Sequence, residues 1–204
     1  MIRILRIINR FNLGGPTYNV AYLTKYMPSE FKTILVGGRH EDDEISSDFI
    51  LHSMNIKPML IPAMRRVINF KKDLIAYEVI SDIIKRYKPH IVHTHAAKAG
   101  TLGRMAAIAA NVPVIVHTFH GHVFHSYFNN YKTMFYKTIE RRLAESSTRI
   151  IAISNTQKNE LANIYNICDE NKIEVIPLGF DLDRFNTDKE TKRIAFRRHY
   201  NIEN

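Results

Sequence analysis

The sequence predicts an α/β fold built on a Rossmann-like, doubly wound parallel sheet of about seven strands. Short runs rich in β-branched residues alternate with longer amphipathic segments along the chain, and this alternation is typical of repeated βαβ units. The connections are short, and neither an internal repeat nor a low-complexity tract interrupts them. With 204 residues, 45% of them hydrophobic, the chain is long enough to bury one substantial core.

Seven segments have the composition of strands. Each is a short apolar run bounded by polar or turn-forming residues. The predicted strands are 3–8, 32–36, 57–61, 90–95, 113–118, 149–154 and 172–176. In a sheet of this kind, ligands bind beyond the carboxyl ends of the strands. The residues that follow each strand are therefore the first candidates for a functional site.

The segments between the strands show the spacing of helices. Apolar residues recur every three or four positions in 69–87 and again in 131–143, so each segment is predicted to pack one face on the sheet. After the sixth strand, Ser154 and Gln157 have the spacing of a capping box, which predicts a helix that begins there. The acidic stretch RHEDDE at 39–44 is interpreted as a solvated loop.

Charge and cysteine content narrow the class of protein. The net charge of +9 suits phosphates, anionic lipid or nucleic acid, and does not choose among them. Cys168 is the only cysteine, which excludes an intrachain disulfide and a cysteine-based zinc cluster. The sequence has no apolar run of the roughly 18 residues that a membrane-spanning helix needs, and the arginine-interrupted N-terminus is unlike a signal peptide. A cytoplasmic protein is expected.

A glycine pair follows the first predicted strand. Gly14 and Gly15 precede Pro16, which suits the first position of a helix, so the free amides there could face an anionic group such as a pyrophosphate. A tight strand-to-helix turn explains the same residues. Because the glycines are adjacent, the spacing is not the dinucleotide fingerprint, and a nicotinamide enzyme is disfavoured.

Histidines gather at the ends of the fourth and fifth predicted strands. His93 and His95 share one face of a strand, and the segment HTFHGH adds His117, His120 and His122. Such a set could bind metal, but no carboxylate follows nearby to complete it, so no metal site is predicted. His120, beside Gly121, is expected to expose its imidazole at the crevice opposite the glycine pair, with a pKa near neutrality, unless it only caps a loop.

Lys98 lies at the start of the helix that follows the fourth strand. Its ammonium could reach the crevice and bind a substrate phosphate, and a solvated lysine is an equal alternative. A second basic group, Lys132, Lys137, Arg141 and Arg142, lies on or near the helix at 131–143. This group could meet an anionic membrane, although a solvated helix face explains it as well.

Five motifs in order along the chain resemble the N-terminal domain of retaining glycosyltransferases of family 4. They are GGP after the first strand, HTHAAKAGTLGR, HTFHGHVF, RIIAIS before a helix, and IPLGFDLDRF. HTFHGHVF is similar to the subset that acts in bacterial capsule, O-antigen and exopolysaccharide assembly. In that family two Rossmann-like domains face each other in the GT-B architecture. The resemblance implies an acceptor-side domain over 1–184 and a linker with one helix over 185–204, leading to a donor-binding domain.

The resemblance also implies a reaction and roles for residues. A sugar would pass, with retention, from a nucleotide-sugar to a glycan or lipid-linked acceptor, without a metal or other cofactor. Gly14 and Gly15 would approach the donor pyrophosphate, His120 would contact the transferred sugar as the catalytic residue, and His95 and Lys98 would bind the acceptor. The family's carboxy-terminal glutamate pair and phosphate-binding Arg and Lys have no counterpart before Asn204. Residues 1–204 alone are therefore expected to be inactive. Any membrane contact is expected to be peripheral, at the inner face of the plasma membrane.

Two other functions compete with this interpretation. A sugar-nucleotide epimerase has a similar two-domain fold with histidines at strand ends, but the linker motif IPLGFDLDRF favours the transferase. A non-catalytic basic module could bind nucleic acid, yet its aromatic residues would interleave with Lys and Arg as stacking platforms. Most Phe and Tyr residues here fall at core spacing instead, so no nucleic-acid partner is predicted.

Overall fold

A single parallel sheet of seven strands organises the chain. The computed structural model describes residues 1–121 and 130–203, without the side chains of residues 130–132 and 184. The sheet order is β3-β2-β1-β4-β5-β6-β7, and every neighbouring pair of strands is parallel. The strands are β1 Ile2–Phe11, β2 Phe31–Arg39, β3 Met59–Leu60, β4 Ile91–His95, β5 Val114–Phe119, β6 Arg149–Ala152 and β7 Ile173–Val175. The predicted doubly wound sheet is confirmed.

Helices cover both faces of this sheet. They are α1 Gly15–Lys25, α2 Asp48–Ser53, α3 Phe70–Tyr87, α4 Ala97–Ala109, α5 Asn130–Ser146, α6 Asn155–Asn159, α7 Asp183–Asn186 and α8 Lys189–His199. A π-helical turn, Glu160–Ile164, extends α6, and a 3-10 turn, Glu170–Lys172, precedes β7. None of the helices in the described part of the chain is both long enough and apolar enough to cross a membrane.

The core is divided between the two faces. On one face, α3 and α4 pack against β1 and β4 through residues such as Leu5, Ile80, Val92 and Ala106. On the other face, α1 and α2 pack against Ile8 and Leu35. Because side chains alternate along a strand, successive residues of β1 and β4 belong to different faces. This alternation decides which of the strand-end histidines can meet.

Each strand differs from its predicted bounds by one to three residues at one or both ends, and β1 and β3 show why. β1 continues to Phe11, beyond the predicted end at residue 8, and its pairing with β2 shifts register between Ile8 and Arg10. The polar pair Asn9 and Arg10 ends the apolar run. A prediction from hydrophobicity alone therefore ends the strand before them. β3 is shorter than predicted, with only Met59 and Leu60 paired to β2 at the edge of the sheet.

Local capping bonds fix two helix starts. Ser154 Oγ accepts a hydrogen bond from the Gln157 amide at 3.2 Å, as the capping box predicts. The reciprocal bond falls one residue earlier than in the standard box, because Gln157 Oε1 accepts from the Ile153 amide at 2.9 Å. At α3, Asn69 Oδ1 accepts from the Lys72 amide at 3.0 Å. These bonds satisfy amides that the helix itself leaves unpaired.

The C-terminal segment forms the predicted helix. Within the described residues 189–199, α8 buries no side chain, and it exposes Ile194 and Phe196. The division of the chain at residues 184 and 185 stays a prediction.

Candidate functional site

A cleft of about 510 Å³ opens at the carboxyl ends of β1, β4 and β5. Its apolar wall comes from the start of α4, the end of β5 and the inner side of α5. Basic side chains, Arg10, Arg66 and Lys98, lie around it. The wall includes Ala97, Leu102, Phe119, Phe135 and Ile139. Its location agrees with the rule that ligands bind beyond the carboxyl ends of parallel strands.

The backbone is strained where β4 passes into α4. Ala96 has φ 65° and ψ 162°, a conformation that is accessible almost only to glycine. The strained residue lines the cleft directly, together with Ala97 and Lys98 from the first turn of α4. Strain of this kind persists only where the surrounding structure holds it, and it concentrates at functional sites. Here it aims the first turn of a 13-residue helix at the cleft.

His95 and His120 form a hydrogen-bonded pair beside this turn. His95 Nδ1 lies 3.0 Å from His120 Nε2, and the two rings are stacked with centroids 5.3 Å apart. His95 is completely buried, whereas His120, just after β5, is partly exposed. The other ring nitrogens, His95 Nε2 and His120 Nδ1, are buried without a hydrogen-bond partner among residues 1–121 and 130–203.

The remaining two strand histidines have threonine partners. His93 Nε2 lies 2.8 Å from Thr118 Oγ1, and His117 Nδ1 lies 2.8 Å from Thr94 Oγ1. His93 and His95 stack at 4.1 Å between centroids, which confirms that they share a face of β4. His117 lies on the opposite face, against Gly100 of α4, where an added Cβ would come within 2.4 Å of its Cε1.

Burial keeps these histidines neutral. Desolvation lowers the pKa of His93, His95 and His117 well below the ordinary value, and nearby Arg6 adds to the effect at His93 and His95. Desolvation also lowers the pKa of His120 to about 4. The expected exposed imidazole with a pKa near neutrality is therefore wrong: His120 is partly buried and neutral at physiological pH.

The ammonium group of Lys98 is bonded to other residues of the chain. Its ammonium contacts Asp73 Oδ1 at 2.7 Å and the Val67 carbonyl at 2.6 Å. The bonds tie the start of α4 to the first turn of α3 and to the loop before it, which supplies Ile68 to the cleft. Lys98 lines the cleft as predicted, but a substrate phosphate would have to share it with Asp73. The acceptor role of Lys98 stays a prediction, and completely buried His95 could influence an acceptor only through its neighbours.

An ion-pair network that the sequence analysis did not find supports the same loop. Arg10 Nε donates to Glu44 Oε2 at 2.7 Å, and Arg66 Nη1 lies 3.6 Å from Glu44 Oε1. The Arg10 hydrogen bond is the main cause that lowers the pKa of Glu44 to about 2. Glu41 accepts from the Arg66 amide at 2.9 Å. The interpretation of 39–44 as a merely solvated loop is wrong, because these carboxylates hold basic residues of the cleft in place.

A buried ion pair lies beneath the cleft and was also missed. Arg104 Nη2 of α4 is 2.6 Å from Glu140 Oε1 of α5, and Arg104 Nε donates to the Gly100 carbonyl at 2.8 Å. Both residues are buried, and Glu140 reaches the cleft wall. The sequence places each of the two residues in a helical segment. Their pairing, however, depends on which helices pack side by side in the fold.

The glycine pair lies at the start of α1, as predicted. Among the residues that the structure describes, nothing lies within 4 Å of a Cβ added at Gly15, so the space above it is open. Gly15 lines a separate cavity of about 270 Å³ with Tyr18, Asn19 and the segment 178–180 of the linker motif. Gly14, Gly15 and His120 do not line the 510 Å³ cleft. That they face each other across one crevice, and that the glycines contact a donor, stays a prediction.

Half of the predicted basic surface on α5 is used within the fold. Lys137 Nζ lies 4.6 Å from the centre of the Tyr165 ring, and Arg141 donates to the carbonyls of Tyr165 and Asn166. The side chain of Lys132 is outside the described residues. Two of the four named cations therefore serve the contact between α5 and the turn after α6.

The described residues contain no cluster of three or more His, Cys, Asp or Glu side chains that could hold a metal ion. His122 lies outside the described residues. His93 and His117 each direct one ring nitrogen to a threonine. The expected absence of a metal from the reaction stays a prediction.

Two relatives are glycosyltransferases by name. A UDP-Gal:α-D-GlcNAc-diphosphoundecaprenol α-1,3-galactosyltransferase of Escherichia coli is 37% identical over 132 residues, covering 64% of this chain and 34% of the relative. A capsular polysaccharide biosynthesis glycosyltransferase of Staphylococcus aureus is 29% identical over 119 residues, covering 55% and 31%. The chain therefore matches about a third of the length of each relative.

Solved structures support the fold. A glycosyltransferase from Rickettsia africae superposes with a TM-score of 0.72 at 22% identity, over 100% of this chain and 50% of that one. A UDP-GlcNAc 2-epimerase from Neisseria meningitidis superposes with a TM-score of 0.68 at 13% identity, over 100% and 54%. The likeness to both shows that the sheet is a half of the GT-B type and does not separate transferase from epimerase.

The match to a protein family distinguishes a transferase from an epimerase. A family model described as Glycosyltransferase Family 4 matches residues 13–184, which include the strained turn, all four described strand-end histidines and all but the last residue of the linker motif. The chain belongs to glycosyltransferase family 4.

Proposed function

We propose that this chain is the acceptor-side domain of a retaining glycosyltransferase that extends a lipid-linked glycan of the bacterial cell envelope. The observation that carries the proposal is the 510 Å³ cleft, with its apolar wall and basic rim, at the carboxyl edge of a family 4 domain. The Escherichia coli relative is named for an acceptor with a sugar, a diphosphate and a polyprenyl chain. An acceptor of that class combines anionic and apolar parts, and the cleft offers surfaces for both.

The reaction would exchange one glycosidic bond for another. The bond between the donor sugar and the nucleotide diphosphate breaks, and its electron pair leaves with the diphosphate. An acceptor hydroxyl forms the new bond to the sugar with retained configuration, and its proton balances the charge of the leaving group. Stabilisation of the diphosphate is the electrostatic task of the enzyme, for which the positive N-terminal end of the α1 dipole beside Gly14 and Gly15 is suited. No metal or other cofactor is assigned to this step.

His120 is proposed to contact the transferred sugar, and Lys98 the acceptor. A neutral His120 suits hydrogen bonding to a sugar oxygen rather than ion pairing with a phosphate. The ion pair of Lys98 with Asp73 holds the loop before α3 at the rim of the cleft. The fold also resembles that of an epimerase. Family 4 membership and the names of the relatives favour sugar transfer.

The loop before α3 and its first turn suit contact with a membrane. Phe70 is 84% exposed, and exposed Val67 and Leu74 lie near it in sequence. Lys71 and Lys72 place positive charge in the same turn. Ile68 connects this surface to the cleft. We propose a peripheral location at the inner face of the plasma membrane, where the cleft could receive the head of a lipid acceptor from an anionic bilayer.

Acceptor binding can be tested on residues 1–204. A short-chain polyprenyl-diphosphate-GlcNAc in detergent should bind wild-type protein, measured by calorimetry. Leu102→Trp fills the cleft and should weaken binding at least tenfold, whereas Met105→Trp, exposed on the same helix, should not. Equal binding by the two variants would contradict the assignment of the cleft.

Membrane contact needs its own measurement. Co-sedimentation with vesicles containing phosphatidylglycerol should retain the wild-type chain and release a Phe70→Ser, Lys71→Glu, Lys72→Glu variant. Lys85→Glu, Arg86→Glu, at the far end of α3, makes the same change in net charge and should lower binding much less. Equal loss in both variants would point to net charge alone.

A further inference from the structure

The N-terminus of α4 opens on the 510 Å³ cleft. Ala97 and Lys98, the first two residues of this helix, line the cleft. The first backbone bond of the helix runs from the Gly100 amide to the Ala96 carbonyl at 2.7 Å, and the amides of residues 97–99 have no hydrogen-bond partner among the described residues. The N-cap residue, Ala96, has no side chain that could accept from them. The helix therefore presents unpaired N–H groups and the positive end of its dipole to the cleft.

The charged side chains that line the cleft are already paired with one another or with neighbours. The pairs are Arg10–Glu44, Arg66–Asp43, Lys98–Asp73 and Arg104–Glu140. The first turn of α4 contains no acidic residue. Within the part of the chain that the structure describes, the N-terminus of α4 is thus a positive group of the cleft without a negative partner.

Asn9 gives a second, independent indication of a ligand at this place. It lines the cleft with an exposed fraction of only 9%, and its Oδ1 is buried without a hydrogen-bond partner in residues 1–121 and 130–203. Ile8 of β1 is paired with His95 of β4, so Asn9 and Ala96 follow side by side at the ends of these strands. A buried amide without a partner costs free energy, which a bound ligand can recover. Because no bond fixes this amide, a half-turn of its last torsion presents the Nδ2 donor to a ligand oxygen.

We propose that the N-terminus of α4 and the side chain of Asn9 form a subsite for a phosphate group of the acceptor diphosphate. The amides of Ala97 and Lys98 and the Asn9 Nδ2 group donate to phosphate oxygens, and the helix dipole stabilises their charge. Gly15 lines a separate cavity, so this subsite is distinct from the one proposed for the donor. The assignment to a lipid-linked acceptor rests on the proposed function, whereas the anion site itself does not.

Inorganic pyrophosphate is the probe for this subsite. Titrated into nitrogen-15-labelled residues 1–204 at neutral pH, it should shift the backbone amides of residues 97–99 and the side-chain NH2 signal of Asn9 along one saturating curve. Shifts that do not saturate, or that occur only at the lysines of α3, would show non-specific attraction to a basic protein and would overturn the proposal.

Substitutions at Ala97 test the helix N-terminus. Ala97 is exposed, so aspartate and asparagine both fit there. A carboxylate suits the first turn of a helix and should not lower stability, but Ala97→Asp should weaken pyrophosphate binding about tenfold by occupying and repelling the anion. Ala97→Asn, the uncharged isostere, should weaken it much less. Equal binding by the two variants would contradict a site at this end of α4.

Asn9→Leu tests the side chain from β1. Leucine has a similar shape and removes the unpaired amide, so the stability of the protein should not fall, while pyrophosphate binding should weaken about threefold or more. Ser47→Ala is the matched control, because it removes another buried polar atom that has no partner among the described residues but lies outside the cleft. It should leave binding unchanged. Unchanged binding by folded Asn9→Leu protein would contradict the role of Asn9.

Competition connects the subsite with the acceptor. Short-chain polyprenyl-diphosphate-GlcNAc should displace pyrophosphate from the signals of residues 97–99, whereas GlcNAc alone should not. An acceptor that binds without displacing pyrophosphate would overturn the assignment of this subsite and leave the proposed function standing. Pyrophosphate bound at α4 without any binding of the acceptor would support the anion site and contradict the proposed function.

Discussion

The four histidines at the ends of β4 and β5 divide into two kinds, although the chain builds them from the same alternating pattern. His93 and His117 each bond to a threonine of the neighbouring strand. His95 and His120 bond to one another and leave one nitrogen each without a partner among the described residues. Buried polar groups are usually satisfied within the fold, and exceptions concentrate where ligands bind. The difference separates two histidines that are bonded within the sheet from a pair that is only partly satisfied there, and it is to this pair that we assign the proposed role in the site.

Acid should affect both kinds and should give the largest change in stability. The folded-state pKa of His120 is about 4, and burial holds the pKa values of the other three well below the ordinary value near 6.5. Below pH 6.5 the unfolded chain binds protons that the folded chain does not, so stability falls as pH falls. Each histidine contributes a slope of up to about 1.4 kcal/mol per pH unit.

Urea denaturation between pH 7 and pH 4 measures this slope. Replacing His93 by Phe should reduce it by the share of one histidine, provided that the variant remains folded. A free energy of unfolding that stays constant from pH 6.5 to pH 4.5 would contradict the burial of neutral histidines.

Gly100→Ala should produce the next largest effect. Its Cβ would come within 2.4 Å of Cε1 of buried His117, whose ring is also held by its bond to Thr94. Overpacking of this kind costs about 3 kcal/mol. Gly15→Ala is the matched control, because its Cβ meets nothing within 4 Å among the described residues, and it should change stability by less than about 0.5 kcal/mol. Chemical denaturation of the two variants compares them, and equal losses would show that His117 can move.

Thr94→Val should destabilise the protein less. It removes the partner of His117 Nδ1 and leaves that nitrogen buried and unpaired, which costs about 2 kcal/mol. The valine keeps the shape of the side chain, so packing should change little. Thr101→Val, which removes an exposed hydroxyl on α4, is the control and should cost less than about 0.5 kcal/mol. If both variants had the same stability, the threonine would not be a structural partner of His117.

The sequence predicted the sheet better than it predicted the site. Apolar runs and helical spacing depend on neighbours along the chain, and they placed all seven strands with errors only at their ends. The site depends on side chains that are far apart in sequence. Lys98 meets Asp73, Arg10 meets Glu44, and Arg104 meets Glu140 only after the strands are ordered. The strained backbone at Ala96 could not be predicted from the residue type, because alanine rarely adopts that conformation.

The histidines also show that contacts between residues distant in sequence cannot be predicted from local patterns. The period of two correctly placed His93 and His95 on one face, but it could not show that His95 is buried or which residue it bonds. The neighbour of His95 is set by the register between β4 and β5, which pairs it with Thr118 and brings His120 beyond it. Burial then lowers the pKa of His120. The neighbouring Gly121 had instead predicted an exposed imidazole.

His120→Ala should have the smallest effect on stability and the clearest effect on sugar transfer. The variant loses one hydrogen bond at the partly exposed edge of the pair, where water can replace the imidazole, and should cost about 1 kcal/mol. In a version of the enzyme that includes the donor-binding domain, loss of the contact proposed between His120 and the transferred sugar should lower kcat by at least tenfold. Thr118→Val in the same version should cost more stability and leave kcat nearly unchanged. Wild-type turnover by His120→Ala would show that the unpaired nitrogen does not act on the substrate, and the distinction between the two kinds of histidine would then be structural only.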